Sequence, residues 1–357
     1  MTTAQPRRTF QTLDGLRGVG AFLVVMRHVP ALFGPIKVPE SFLAVDLFYL
    51  VSGFVVAHAY GERLKAGGFF RDFVKTRLIR LYPLYIFGLA LGIIPATFAA
   101  VTDPHGWWNF PKIFEAIATG ILMIPFFPGL GANGSSLDGP TWTLLPELIA
   151  NFVYAAAIRF MTITALVAIM LVCGAGLIGA EFYYGGLDLG FNATDQWVAL
   201  CRVGYSFFAG VLVFRFFGAA MKVSTLAAWA LMAVLTFMLA FNPSDDLTPW
   251  YELGVVLIGF PILLIAAAHF EPASAWSGRL FTFVGLVSYG VYIVHQPMGV
   301  IVRDTVQRAI RVPGDLRGLI FGAVFLGAAI TLAWWLDGHY DGPLRKVLRA
   351  RFMPAKG

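Results

Sequence analysis

Arg17 and His28 are the first residues of this chain whose type and position call for a chemical reason. Both sit in an apolar stretch that begins near Leu13, where an ionisable side chain is costly and needs a partner or a task. Eleven residues separate them, about three turns, so a helix puts both on one face roughly 16 Å apart along its axis. An imidazole can serve as general base toward a hydroxyl, or as a nucleophile that briefly carries a group. A guanidinium suits phosphate, through charge-assisted and often bidentate hydrogen bonds.

Further polar residues fall inside apolar segments. Asp46 follows a short loop and is expected at the depth of His28, where a carboxylate would hold the imidazole in one tautomer. Capping the top of its own helix is an equally good use of Asp46. Thr143, Glu147, Asn151 and Tyr154 recur at helical spacing and predict a polar stripe facing the interior, with Glu147 on the outer side. Ser288, Tyr292 and His295 share one face of a later segment. His28, Asp46, Glu147 and His295 are thus expected to converge in the outer third of a membrane. At the inner end, Arg77 and Arg80 lie three residues apart just before Pro83, with Lys75 beside them. Together with Arg17 they would make a cationic mouth. A buried hydrogen bond that merely locks helices is the competing use of each intramembrane group, and positive-inside anchoring accounts for Lys75 better than for Arg17.

The elements that must position these residues are membrane helices. Of 357 residues, 58% are hydrophobic and only 13% charged, with a mean hydropathy of +0.75; soluble domains carry about a quarter charged residues. Eleven apolar segments start near Leu13, Phe42, Leu81, Ile113, Thr141, Thr162, Trp197, Thr225, Trp250, Leu280 and Gly318. The basic chain ends both favour the cytoplasm, which requires an even number of crossings. The fourth segment is the weakest: Ile113–Ile124 runs into Pro125, Pro128 and a Gly-rich loop, which suits a re-entrant piece. The expected architecture is therefore an all-α, polytopic integral membrane protein with about ten transmembrane helices plus one re-entrant segment. Residues 1–12 form a cytoplasmic N-terminal tail, 13–338 the membrane domain, and 339–357 a basic cytoplasmic C-terminal tail. One loop disobeys the charge rule, because Arg303, Arg308, Arg311 and Arg317 would face outward.

The net charge of +6 does not indicate nucleic acid, since the basic residues cluster at membrane borders. Cys173 and Cys201 lie in apolar stretches and define neither a disulfide frame nor a zinc spacing, so no metal is expected. Trp107, Trp108 and Trp250 near outer loops would stack on sugars or simply join an interfacial belt.

Inner cations, a membrane depth between, and an outer acid–base cluster describe a division of labour. A phosphate-bearing donor docks inside and a group is transferred near the outer face. Acyl-CoA fits, because its phosphates lie at one end and its thioester at the tip of a long arm. His28, Asp46 and Glu147 are then the catalytic candidates, and Arg17, Lys75, Arg77 and Arg80 the donor-binding ones. Trp142, Asn151, Tyr292 and His295 would support the substrate. A proton-coupled transporter of a glycan or lipid would use the same ionisable residues, although no internal repeat is visible.

At these positions the sequence resembles the bacterial membrane acyltransferase 3 family. The matching pieces are Leu13-Asp-Gly-Leu-Arg-Gly18 with His28, Asp46-Leu-Phe-Tyr-Leu-Val-Ser-Gly-Phe54, Arg77-Leu-Ile-Arg80-Leu-Tyr-Pro83, Trp142-Thr-Leu-Leu-Pro-Glu147, and Ser288-Tyr-Gly-Val-Tyr-Ile-Val-His295-Gln-Pro297. The resemblance implies a ten-helix enzyme of the bacterial inner membrane, with both termini cytoplasmic. It implies transfer of an acyl group, acetyl above all, from cytoplasmic acyl-CoA to a hydroxyl of an extracytoplasmic glycan or glycolipid. The family's essential first-helix Arg and His map onto Arg17 and His28, its paired arginines onto Arg77 and Arg80, and its tryptophan-to-glutamate motif onto Trp142 and Glu147. Pro146, immediately before Glu147, departs from the pattern.

Overall fold

The computed structural model describes residues 9–67, 69–125, 137–218, 221–309 and 317–353. In chain order the helices are α1 (Gln11–His28), α2 (Ala44–Lys65), α3 (Phe70–Thr102), α4 (Phe110–Ile121), α5 (Leu144–Ala156), α6 (Ile163–Tyr184) and α7 (Gln196–Phe217). They continue with α8 (Thr225–Ala240), α9 (Thr248–Gly254), α10 (Phe260–His269), α11 (Ala275–Ala309), α12 (Arg317–Leu336) and α13 (Gly342–Phe352). A π turn at Val255–Gly259 joins α9 to α10, and another at Asp337–Asp341 joins α12 to α13. The only strands among the described residues are β1 (Lys222–Val223) and β2 (Phe270–Glu271), paired in parallel with Lys222 opposite Phe270.

The protein is a helical, multi-pass membrane protein. Among the described residues seven helices are long and apolar enough to cross a bilayer: Pro39–Lys65, Phe70–Thr102, Ile163–Tyr184, Gln196–Phe217, Thr248–His269, Ala275–Arg303 and Gly318–Phe352. Three further expected spans form helices of a different character. α1 carries Asp14, Arg17 and Arg27 within 18 residues, α5 has 13 residues, and α8 has 16. Each lacks either the length or the apolar composition of an independent span. α4 has 12 residues and is held against α3, where Tyr85 Oη donates to the Gly120 carbonyl (2.6 Å). The Gly-rich loop after it, and the side chains of Arg308, Arg311 and Arg317, lie outside the described residues.

Two helix pairs set the frame of the site, and small residues let both pack closely. α1 and α11 run side by side in the same direction: a Cβ at Gly278 would collide with Gln11, one at Gly285 with Asp14 and one at Gly299 with Val29 just beyond α1. α2 and α7 pair likewise, with Gly53 against the Phe207 carbonyl and Gly210 against the Leu50 carbonyl. The start of α1 is tied down by Thr12, whose backbone N–H donates to Glu271 Oε2 (3.2 Å) and whose hydroxyl donates to the Phe270 carbonyl.

The segment before α5 departs from expectation. Residues 137–143 do not stay at a surface but dip between α3 and α11. A Cβ at Gly92 of α3 would strike the Leu137 carbonyl, and the Gly139 N–H donates to Gln296 Oε1 on α11. Tyr292 Oη donates to the Pro140 carbonyl (2.9 Å) and lies 3.1 Å from Thr143 Oγ1. α5 consequently starts inside the bundle. Pro146 falls in its first turn, where a missing N–H leaves no helical bond unmade.

Candidate active site

One cavity of about 350 Å³ occupies the space between α1, α2, α3, α5, α11 and the α12–α13 junction. Its two ends differ in chemistry. Arg17, Arg77, Arg80 and Arg345 line one end, together with Asp14 and Asp337. Phe48, Thr143 and Tyr292 line the other, and Ser52, Glu147 and Ser288 lie along it. The helices themselves explain the gradient. α1 and α11 start together at the arginine end, so Arg17 precedes the rest of α1, and Tyr292 lies about two turns beyond Gly285.

The arginines are unequally engaged. Arg77 is buried and its Nη2 bonds Glu147 Oε1 at 3.0 Å, an oxygen that also accepts from Ser52 Oγ at 2.6 Å. Arg17 has a longer contact with Asp14 on its own helix, 3.7 Å. Arg80 makes no ion pair among the described residues. Lys75 is exposed, lies outside the cavity, and caps the end of α13 by donating to the Phe352 carbonyl (2.9 Å).

His28 and His295 meet beyond the Tyr292 end. His295 Nε2 lies 3.0 Å from His28 Nδ1, and His295 Nδ1 lies 3.1 Å from the Val291 carbonyl. A carbonyl only accepts, so His295 Nδ1 must carry a proton to make that bond. Neutral His295 then offers a bare Nε2, which accepts from His28 Nδ1–H, and His28 is left with a bare Nε2. His295 is fully buried while His28 is exposed. The pair therefore presents an imidazole nitrogen able to take up a proton, in a tautomer fixed from the backbone outward.

The structure corrects the expected outer cluster. Asp46 does not address His28: its carboxylate is bound by Arg202 of α7, with Nη2–Oδ2 at 2.6 Å and Nε–Oδ2 at 3.1 Å. Both side chains are 1% exposed, and Arg202 also donates to the Phe42 and Leu189 carbonyls. Glu147 lies not with the histidines but with Arg77, because α5 begins inside the bundle rather than at its surface. Asn151 is buried away from the cavity and donates to the Glu147 carbonyl one turn back (2.7 Å). Trp142 packs beside Arg202, whose guanidinium carbon is 5.8 Å from its ring centroid. Of the expected outer residues, only His28 and His295 come together.

Arg202, Ser52 and Arg345 escaped the sequence reading. Arg202 was detectable, since a guanidinium six residues into an apolar helix requires a buried carboxylate. Asp337, Asp341 and Arg345 left a similar trace, as acids at helical spacing from a base in a basic segment. Ser52 left no such signal. Among the described residues no group of three or more His, Cys, Asp or Glu side chains is placed to hold a metal ion.

A multi-pass helical bundle with arginines at one end of its cavity and a histidine pair beyond the other defines a membrane enzyme of the group-transfer kind. Residues 10–338 match the family described as Acyltransferase domain (Acyl_transf_3), and the chain belongs to this acyltransferase family. It is similar to "Protein 2 in picA locus" of Rhizobium radiobacter, 41% identical over 169 residues, 43% of this chain and 85% of that protein. It is also similar to the "Putative peptidoglycan O-acetyltransferase YrhL" of Bacillus subtilis (strain 168), 22% identical over 329 residues. That match covers 82% of this chain and 49% of the relative, so the chain spans about half the relative's length. No solved structure matches.

Proposed function

We propose that this acyltransferase moves an acyl group, acetyl in the first instance, from cytoplasmic acyl-CoA to a hydroxyl of an extracytoplasmic glycan or glycolipid. The observation that carries the reading is one cavity with arginines at one end and Tyr292, one turn before His295, at the other. In this reading the chain crosses the bacterial inner membrane ten times with both termini in the cytoplasm. The donor phosphates sit among Arg17, Arg77 and Arg80, and the pantetheine arm threads toward the histidines. The rise of α1 between Arg17 and His28, about 16 Å, is of the order that arm must cover.

His28 acts as general base. Its Nε2 takes the acceptor's hydroxyl proton as the oxygen attacks the thioester carbonyl. A C–O bond forms, the C–S bond breaks, and the proton passes from His28 to the departing sulfur, giving ester and free CoA. In a sequential route His28 Nε2 attacks the thioester and CoA leaves as thiolate; the acceptor hydroxyl then attacks the acyl-imidazole, the C–N bond breaks to free Nε2, and the hydroxyl proton neutralises the thiolate. The name of the Bacillus relative, a peptidoglycan O-acetyltransferase, supports acetyl as acyl group and an envelope polymer as acceptor.

The test is incorporation of label from acetyl-CoA into cell-envelope glycan by cells carrying the wild type or His28→Ala. Label present with the wild type and absent with the variant is the expected result. Undiminished acylation in the variant, combined with loss of glycan export, would overturn it in favour of a proton-coupled exporter.

A further inference from the structure

We infer that the C-terminal helix α13 belongs to the donor site, with Arg345 as a fourth phosphate ligand. The inference rests on the acyl-CoA reading above and extends it to a helix beyond the family match, which ends at residue 338. Arg345 lines the same cavity as Arg17, Arg77 and Arg80, although 265 residues or more separate it from them in sequence.

Its guanidinium is positioned rather than consumed. Asp341, fully buried, and Asp337, 3.6 Å away, both engage Nη2. Among the described residues Nε is buried and has no hydrogen-bond partner, and the same holds of Arg77 Nε in the same cavity. Two orphaned guanidinium N–H groups in one cavity are what a bound oxyanion would satisfy, since a buried donor without an acceptor is costly. The π turn at Asp337–Asp341 makes the arrangement possible. It puts both carboxylates on the approach to α13, so that Asp341 meets Arg345 four residues on. π turns of this kind recur at functional sites.

The acids also give Arg345 a directional role. Two carboxylates hold the side chain in one rotamer, so a donor phosphate meets a preorganised fork instead of a mobile arm. The exposed bases of α13, Lys346, Arg349 and Arg351, do not line the cavity.

The experiment uses the full chain purified in detergent, with CoA binding by calorimetry and turnover with acetyl-CoA or with acetyl-pantetheine, which lacks the nucleotide. Arg345→Ala should weaken CoA binding about tenfold, the size of one charge-assisted hydrogen bond. It should raise KM for acetyl-CoA similarly while leaving KM for acetyl-pantetheine unchanged. Arg345→Gln, which keeps the volume, should behave alike, and Lys346→Ala should match the wild type. Wild-type CoA affinity in either Arg345 variant would overturn the inference, as would an equal KM penalty for both donors, which marks a structural role. Failure of the wild-type chain itself to bind CoA would instead overturn the donor reading on which the inference stands.

Discussion

His28 Nδ1 faces His295 Nε2 at 3.0 Å, and His295 in turn is anchored on the Val291 carbonyl. The relationship makes the buried histidine the orienting partner of the exposed one, a job more often given to a carboxylate. Replacing His295 by Phe should lower kcat by about 10–100-fold, as loss of an orienting partner does, with little change in KM for acetyl-CoA. His28→Ala should cost more, about 10²–10⁴-fold in kcat. Steady-state kinetics in detergent distinguishes the two, and equal losses in kcat and CoA affinity for His295→Phe would deny the orienting role.

Asp46 and Arg202 form a pair that is 1% exposed on both sides, between closely packed α2 and α7. Removing one partner leaves a buried charge uncompensated, so Asp46→Ala or Arg202→Ala alone should cost about 3–5 kcal/mol. Asp46→Leu combined with Arg202→Met should cost less than either single change, because no charge is left behind. Thermal unfolding in detergent measures all three.

Arg80 and Arg77 should separate binding from folding. Arg80 has no ion pair among the described residues, so Arg80→Ala should weaken CoA binding about tenfold with an unchanged unfolding midpoint. Arg77 neutralises Glu147, so Arg77→Ala should lose both donor affinity and stability. Parallel calorimetry and thermal scans check the contrast.

Gly53 and Gly210 permit α2 and α7 to approach backbone to backbone. A methyl at either position meets a carbonyl that cannot rotate away, so Gly53→Ala should destabilise by about 1–3 kcal/mol or more. It should also lower activity, because Ser52 beside it bonds Glu147 in the cavity. An unfolding curve that matches the wild type would show that the helices part without cost.

The helical, membrane-embedded character of the chain was legible from local composition, because hydropathy over about 20 residues reports transfer into lipid whatever the neighbours are. Arg17, His28, Glu147 and His295 were legible as candidates for the same reason: an ionisable group in an apolar run is costly wherever it ends up. Beyond the His28–His295 pairing, their partners were not. Asp46 meets Arg202 instead of His28, and Glu147 meets Arg77 instead of the histidines.

Two physical facts separate the levels. The depth of a side chain depends on where its helix begins, and residues 137–143 fold into the bundle, which brings Glu147 to the arginines. The direction of a side chain depends on helix rotation, about 100° per residue, and a helix apolar on every face carries no stripe that reveals it. The amino-acid sequence by itself determined which residues lie in the membrane and which of them are expensive to keep there. Only the tertiary structure decided which of the expected neighbours meet: His28 keeps His295 but neither Asp46 nor Glu147, and Arg345, from the expected tail, joins the cavity arginines.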